Sequence, residues 1–148
     1  MFSGEYSHAI DKKGRLIIPS RFREILTERY EEKFIMTKGL DTCLLLYPAD
    51  EWNELEKKMK EVSTVTNPSA RAFKRFMIAG AIECTVDKQG RIMIPSNLRV
   101  YAQITRDVVI TGNLEKVEIW AKERWQEYWK ASKPIEELAR EIGEDVKL

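Results

Sequence analysis

The pattern Asp-x-x-Gly-Arg occurs twice in this chain, as Asp11-Lys12-Lys13-Gly14-Arg15 and as Asp87-Lys88-Gln89-Gly90-Arg91. An aspartate at the first position of a turn can bond the backbone that follows it, and a glycine supplies the positive φ that closes a short hairpin loop. The arginine then sits just past the turn, where a strand fixes it. Its planar fork can grip guanine O6 and N7 with two parallel bonds, whereas a lysine offers only a point charge suited to phosphate. A two-stranded ribbon fits the major groove of B-DNA. Arg15 and Arg91 are therefore the candidate base readers. Lys12, Lys13 and Lys88 are candidate phosphate contacts, and Asp11, Gly14, Asp87 and Gly90 shape the turns and orient the arginines. The competing reading is structural, because Asp-x-x-Gly alone is a common turn and an arginine beside it can serve as an ion-pair partner.

Other chemistries find less support. The one histidine, His8, lies in a strand pattern that suits packing or hydrogen bonding. Cys43 and Cys84 lack Cys-x-x-Cys spacing, and no second histidine completes a zinc ligand set. Walker loop, dinucleotide fingerprint and nucleophile elbow are all absent from the sequence. The aspartates fall in turns, which are poor places to perturb a carboxylate by burial. No catalytic residue, metal or cofactor is expected. Arg23 and Arg99 each follow Pro-Ser at a helix start, where pairing inside the fold competes with DNA contact. Arg71, Lys74 and Arg75 read as an ordinary solvated helix edge.

The elements that must position the two turns come from a duplication. Residues 8–24, HAIDKKGRLIIPSRFRE, align with residues 84–100, CTVDKQGRIMIPSNLRV, at a constant offset of 76 with eight of seventeen positions identical. A weaker likeness continues, loosely between FIMTKG and VVITGN, then at an offset of 73 between LLYPADEW and EIWAKERW, pairing Tyr47 with Trp120 and Trp52 with Trp125. Each half reads as strand, tight turn, strand, short helix, strand, strand and amphipathic helix, with Ile82, Cys84 and Val86 alternating onto one face before the second turn. Pro19 and Pro95 end the strand after each turn and suit a helix start. Phe22, Ile25 and Leu26 give the first helix its apolar side. Further helices are expected over 49–62 (Trp52, Leu55, Met59, Val62), 68–79 (Phe73, Phe76, Met77), 122–132 and 135–142. A unit of about 45 residues is too small to bury its own core, so the two copies are expected to interlock.

Totals set the outer bounds. The 148 residues, 43% hydrophobic and 33% charged, suit a soluble globular chain, with no apolar run near the ~20 residues of a membrane span. MFSGEYSHAIDKKG is not the opening of a secretion signal, and two cysteines are too few for a disulfide framework, so a cytoplasmic protein is expected. The formal charge of +1 hides a polarised distribution. From Met1 to Arg23 there are five basic residues against two acidic ones, while acids gather in 50–61 and after Ile135. Such a molecule can turn a basic face to phosphate.

Together these features resemble the MraZ family of bacterial regulators, built on SpoVT-AbrB, or swapped-hairpin, repeats. The resemblance covers MFSGEYSHAIDKKGRLIIPSRFR, DKQGRIMIPSNLR, and the Tyr-Pro and Trp that follow the first unit. It implies an α+β fold in which two swapped-hairpin repeats form one pseudo-two-fold β-barrel with flanking helices. The division is 5–50 for the first repeat, 51–80 for a helical connector, 81–124 for the second repeat and 125–148 for a helical tail. It also implies a ring-like homo-oligomer associated with the nucleoid that binds double-stranded DNA, at short direct repeats in the promoter of the division and cell-wall gene cluster. The alternative on the same fold is an antitoxin-like or structural interaction module. Single-repeat relatives of that kind carry a disordered tail, whereas this sequence ends in a patterned helical segment. Trp125, Tyr128 and Trp129 suit either core or a subunit interface.

Overall fold

A computed structural model describes residues 1–29 and 33–145. The expected first repeat (5–50) and tail (125–148) thus each include a few residues outside the described ones. The strands are β1 (Glu5–Ala9), β2 (Arg15–Ile17), β3 (Lys33–Lys38), β4 (Leu44–Pro48), β5 (Ile82–Thr85), β6 (Arg91–Met93), β7 (Asp107–Asn113) and β8 (Lys116–Ala121). The helices are α1 (Ser20–Arg29), α2 (Ala49–Lys60), α3 (Pro68–Met77), α4 (Ser96–Tyr101), α5 (Lys122–Ala131) and α6 (Ile135–Ile142). The helices near 49–62, 68–79 and 122–132 end one or two residues earlier than the sequence pattern suggests, which leaves Val62 outside α2 and 44% exposed. Asn67 starts α3 by accepting the Ala70 N–H on Oδ1 at 3.1 Å, with Pro68 in the first turn where its missing N–H costs nothing.

Strand pairing departs from local hairpins. Within each half the segment before the turn and the segment after it would pair as hairpin arms, but β1 and β2 are not partners, nor are β5 and β6. β1 pairs antiparallel with β7 of the other half, β5 with β3, and β2 with β6. The result is a six-stranded sheet in the order β1-β7-β8-β4-β3-β5 and a separate two-stranded ribbon, β2-β6. Swapping the two repeats reverses each order onto itself, so an approximate two-fold axis runs through the ribbon and the sheet. Leu16 faces Ile92 and Leu45 faces Glu118 on that axis. The ladders leave β1 and β5 at the edges of the sheet, so they do not themselves close a barrel.

Packing explains the interlock. The inward residues of the ribbon (Leu16, Ile92), the flanking Ile18 and Ile94, and Phe22, Leu26 and Leu98 from α1 and α4 are all at most 1% exposed. They meet Phe34, Met36, Leu44, Leu46, Ile110 and Ile119 from the sheet in one core. Each such side chain contributes roughly 1.5–3 kcal/mol by leaving water, a gain that neither repeat can collect alone. The opposite face of the sheet carries a second core of Cys43, Leu45, Tyr47, Trp52, Met77, Val109 and Trp120 beneath α2, α3 and α5. There the tilted rings of Tyr47 and Trp52 lie 5.7 Å apart, and their repeat mates Trp120 and Trp125 meet edge-on at 5.4 Å. Trp125 and Tyr128 pack against that core, while Trp129 is 45% exposed.

The N-terminus breaks the symmetry. Phe2 is 2% exposed, exchanges two backbone bonds with Leu114 and meets Phe22 edge-on at 5.4 Å. Gly112 lets it pass, since a Cβ there would lie 2.3 Å from the Ser3 nitrogen. Among the described residues no helix is long and apolar enough to cross a membrane.

Candidate nucleic-acid interface

Each Asp-x-x-Gly-Arg segment is a tight turn locked by its own aspartate. Gly14 N–H donates to the Asp11 carbonyl at 3.0 Å and Asp11 N–H to the Arg15 carbonyl at 2.9 Å, with Gly14 at φ +82°. In the second copy Gly90 and Asp87 make the same bonds at 3.0 and 2.9 Å, with Gly90 at φ +80°. These are the left-handed angles at which glycine alone pays no Cβ penalty. Asp11 Oδ1 accepts from Lys13 N–H and Arg15 N–H, both at 2.9 Å, and Asp87 Oδ1 accepts from Gln89 and Arg91 in the same way.

The second carboxylate oxygen holds the arginine. Arg15 Nε donates to Asp11 Oδ2 at 2.6 Å, and Arg91 Nε to Asp87 Oδ2 at 3.0 Å. The backbone N–H of the arginine, and then its side chain, hold both carboxyls below the usual carboxylate range. Among the described residues the two terminal nitrogens of Arg15 have no further protein partner, so the guanidinium is aimed without being used up. Lys12, Lys13 and Lys88 stand exposed at the tips.

The ribbon brings the two arginines onto one face. Arg15 lies opposite Met93 and Ile17 opposite Arg91, both pairs pointing away from the core. Ile17 and Met93 are 47% and 48% exposed, so this face mixes two braced cations with two apolar side chains. A ribbon of this kind is made by one strand from each repeat, not by the arms of a single hairpin.

Arg23 and Arg99 prove to be part of the framework, and in a crossed sense. The backbone of each turn joins the opposite repeat, with Ile94 N–H donating to the Gly14 carbonyl at 2.9 Å and Ile18 N–H to the Gly90 carbonyl at 2.8 Å. Beneath those turns, Arg99 lies against Gly14 and Arg23 against Gly90. Arg23 also donates Nε to the Ile18 carbonyl at 3.0 Å, whereas Arg99 Nε is buried without a partner among the described residues. The twice-repeated Pro-Ser-x-x-Arg was the signal for this pair, but it says nothing of which turn each arginine supports.

The remaining candidates have plain structural surroundings. Arg71 Nη1 donates to the Thr64 carbonyl at 2.8 Å and Lys74 Nζ to the Val62 carbonyl at 2.8 Å, tying down the α2–α3 loop. His8 sits half-buried in β1 opposite Val108. Cys43 and Cys84 are free and buried, and burial pushes both thiols up to about 12. Among the described residues no group of three or more His, Cys, Asp or Glu could hold a metal ion.

This geometry defines a class: a duplicated, strand-swapped α+β protein that presents two arginine-bearing turns on one ribbon. The family model described as "MraZ protein, putative antitoxin-like" matches residues 1–76 and again 77–143. The chain is 52% identical over 143 residues to the "Transcriptional regulator MraZ" of Caldanaerobacter subterraneus subsp. tengcongensis, covering 96% of each chain. It is 50% identical over 144 residues to the protein of that name from Clostridium tetani, covering 97% of this chain and 98% of the relative. It is 56% identical over 128 residues to the one from Desulfitobacterium hafniense strain Y51, covering 86% of each. The chain belongs to the MraZ family.

Proposed function

We propose that this chain is a sequence-specific DNA-binding transcriptional regulator that recognises short direct repeats in the promoter of the division and cell-wall gene cluster. The observation that carries this reading is the placement of Arg15 and Arg91 on one exposed ribbon face, each aimed by its own aspartate. A preorganised guanidinium suits bidentate contact to guanine, with both terminal nitrogens of Arg15 and Nη1 of Arg91 unpartnered among the described residues, and the exposed lysines of the tips suit flanking phosphates. The names of the relatives support the regulatory role.

Two turns alone contribute modest affinity, so the chain works as a ring-like homo-oligomer that engages several repeats at high effective concentration. In this reading 5–50 and 81–124 are the two repeats, 51–80 the connector and 125–148 the tail. The ribbon packed over the six-stranded sheet acts as one small barrel, and the protein resides in the cytoplasm on the nucleoid, away from membranes. No catalytic role is assigned to any residue.

The test compares wild type with Arg15→Ala/Arg91→Ala on a duplex from the promoter of the chain's own gene, across a salt series with shuffled duplex as control. Wild type should prefer the promoter and weaken steeply with salt, and the double variant should lose the preference while staying folded. Each lost bidentate contact should cost about 1–3 kcal/mol. Equal binding by the variant would move the reading surface elsewhere. Absence of any salt-dependent DNA binding by wild type would favour a protein partner, as in an antitoxin-like module.

A further inference from the structure

The two turns are alike in backbone but unlike in charge, and the difference has a direction. Arg15 gives only Nε to Asp11. Arg91 gives Nε to Asp87 and also Nη2 to Gln89 Oε1, so one end of its fork is occupied from within the turn. In the first turn Lys13 stands at the position of Gln89, and it adds a cation instead of an acceptor.

The flanks reinforce the contrast. Arg106 is exposed and lines one crevice with Ile10, Asp11 and Lys12 at the base of the first turn, where its carbonyl accepts the Ile10 N–H at 2.9 Å. Among the described residues its guanidinium has no hydrogen-bond or ion-pair partner. The second turn is flanked by α1, on which Glu24 and Glu28 share a crevice with Arg23, the residue seated under Gly90. The first turn is flanked by the shorter α4, where the repeat register puts Val100, 76% exposed, in the place of Glu24.

We infer that the chain is a polar reader: the Lys12–Arg15 turn, joined by Arg106 as an additional phosphate-contacting residue, carries most of the DNA contact, and the Lys88–Arg91 turn is subordinate. This rests on the proposed reading of DNA by the turns. It also deepens it, because a protein with two equal, two-fold-related readers matches a palindromic site, whereas unequal readers give each chain a direction on the duplex. Directional readers fit sites repeated head to tail.

The experiment measures affinity for the same promoter duplex by fluorescence anisotropy over a salt series for Arg15→Ala, Arg91→Ala, Arg106→Ala and Gln89→Lys, with circular dichroism to confirm folding. Arg15→Ala should weaken binding at least about 10-fold and Arg91→Ala less than about 3-fold. Arg106→Ala should weaken it about 3-fold and lower the log–log salt slope by about 1, the signature of one lost phosphate. Gln89→Lys, which frees Arg91 Nη2 and adds a cation, should strengthen binding several-fold. Equal losses for Arg15→Ala and Arg91→Ala, or a salt slope unchanged by Arg106→Ala, would overturn the polar reader while leaving DNA recognition intact. Wild type that binds promoter and shuffled duplex alike would instead overturn the underlying reading.

Discussion

Replacing Gly90 with alanine tests the crossed support of the turns directly. Two costs combine. A non-glycine residue at φ +80° carries a backbone penalty of about 1–2 kcal/mol. The new Cβ would also lie 2.6 Å from Arg23 Nη1 and 2.7 Å from its Cζ, so the guanidinium must leave. Its departure forfeits the 3.0 Å bond from Nε to the Ile18 carbonyl, worth about 1 kcal/mol at a half-buried site. Gly90→Ala should therefore destabilise the protein by about 2–3 kcal/mol. Gly14→Ala meets Arg99 at 2.9 Å, but Arg99 Nε has no bond to lose, and the backbone cost of about 1–2 kcal/mol should dominate there. Denaturant unfolding at fixed protein concentration reads both values. In an Arg23→Ala background the steric share disappears, so the cycle should show about 1 kcal/mol of coupling between positions 23 and 90. A coupling near zero would mean that Arg23 does not hold the space beneath the second turn, and the crossed arrangement would be refuted.

Asp11 and Asp87 have lowered carboxyl pKa values, chiefly from the backbone N–H groups of Arg15 and Arg91, so their contribution is present above the unfolded value of about 3.9 and is lost as pH falls through the folded one. Stability followed from pH 7 to pH 2 should drop below about pH 4 in wild type and drop less in Asp11→Asn/Asp87→Asn; parallel curves would contradict the turn bonds. With both thiols buried and pushed up to about 12, neither Cys43 nor Cys84 should react with an aromatic disulfide at pH 8 until the chain is unfolded. A thiol titrated within minutes in the native protein would place that cysteine in the wrong environment.

Local chemistry was legible wherever a residue acts on its own neighbourhood. Asp-x-x-Gly-Arg predicts a closed turn because its bonds span only four residues, and Asn67-Pro68 marks a helix start for the same reason. Alternation identifies the buried face of a strand but not the strand that will lie beside it. Leu16 and Ile18 are inward whether β2 pairs with β1 or with β6, so the exchange of partners between repeats leaves no mark on the pattern. Phe2 carries no sequence signal, since a lone aromatic before Gly4 has no period to join, yet its ring packs in the core against Phe22 and Phe34. The repeat marks Arg23 and Arg99 as a pair but not the turn each supports, because Gly90 and Gly14 come to them from the opposite repeat, as Ile10–Lys12 do to Arg106.

That exchange fixes what a single repeat can do. Among the described residues, the β3–β4 and β7–β8 ladders lie within one repeat, while β1–β7, β3–β5, β4–β8 and β2–β6 cross between them. A fragment of residues 1–76 keeps one two-stranded ladder, too little to be stable in water. It loses the partners of Leu16, Leu44 and Leu46 and exposes a core face. The approximate two-fold supplies a remedy, since a second copy could set Leu16 against Leu16 where Leu16 now faces Ile92. Gly14 would still find an arginine beneath it, because Arg23 of the second copy takes the place of Arg99. The fragment should therefore be unfolded when dilute and gain structure only as it pairs, with circular dichroism and sedimentation changing together as concentration rises. A folded monomer at micromolar concentration would show that a repeat carries its own core, and the interlock would then be a consequence of duplication instead of the condition for folding.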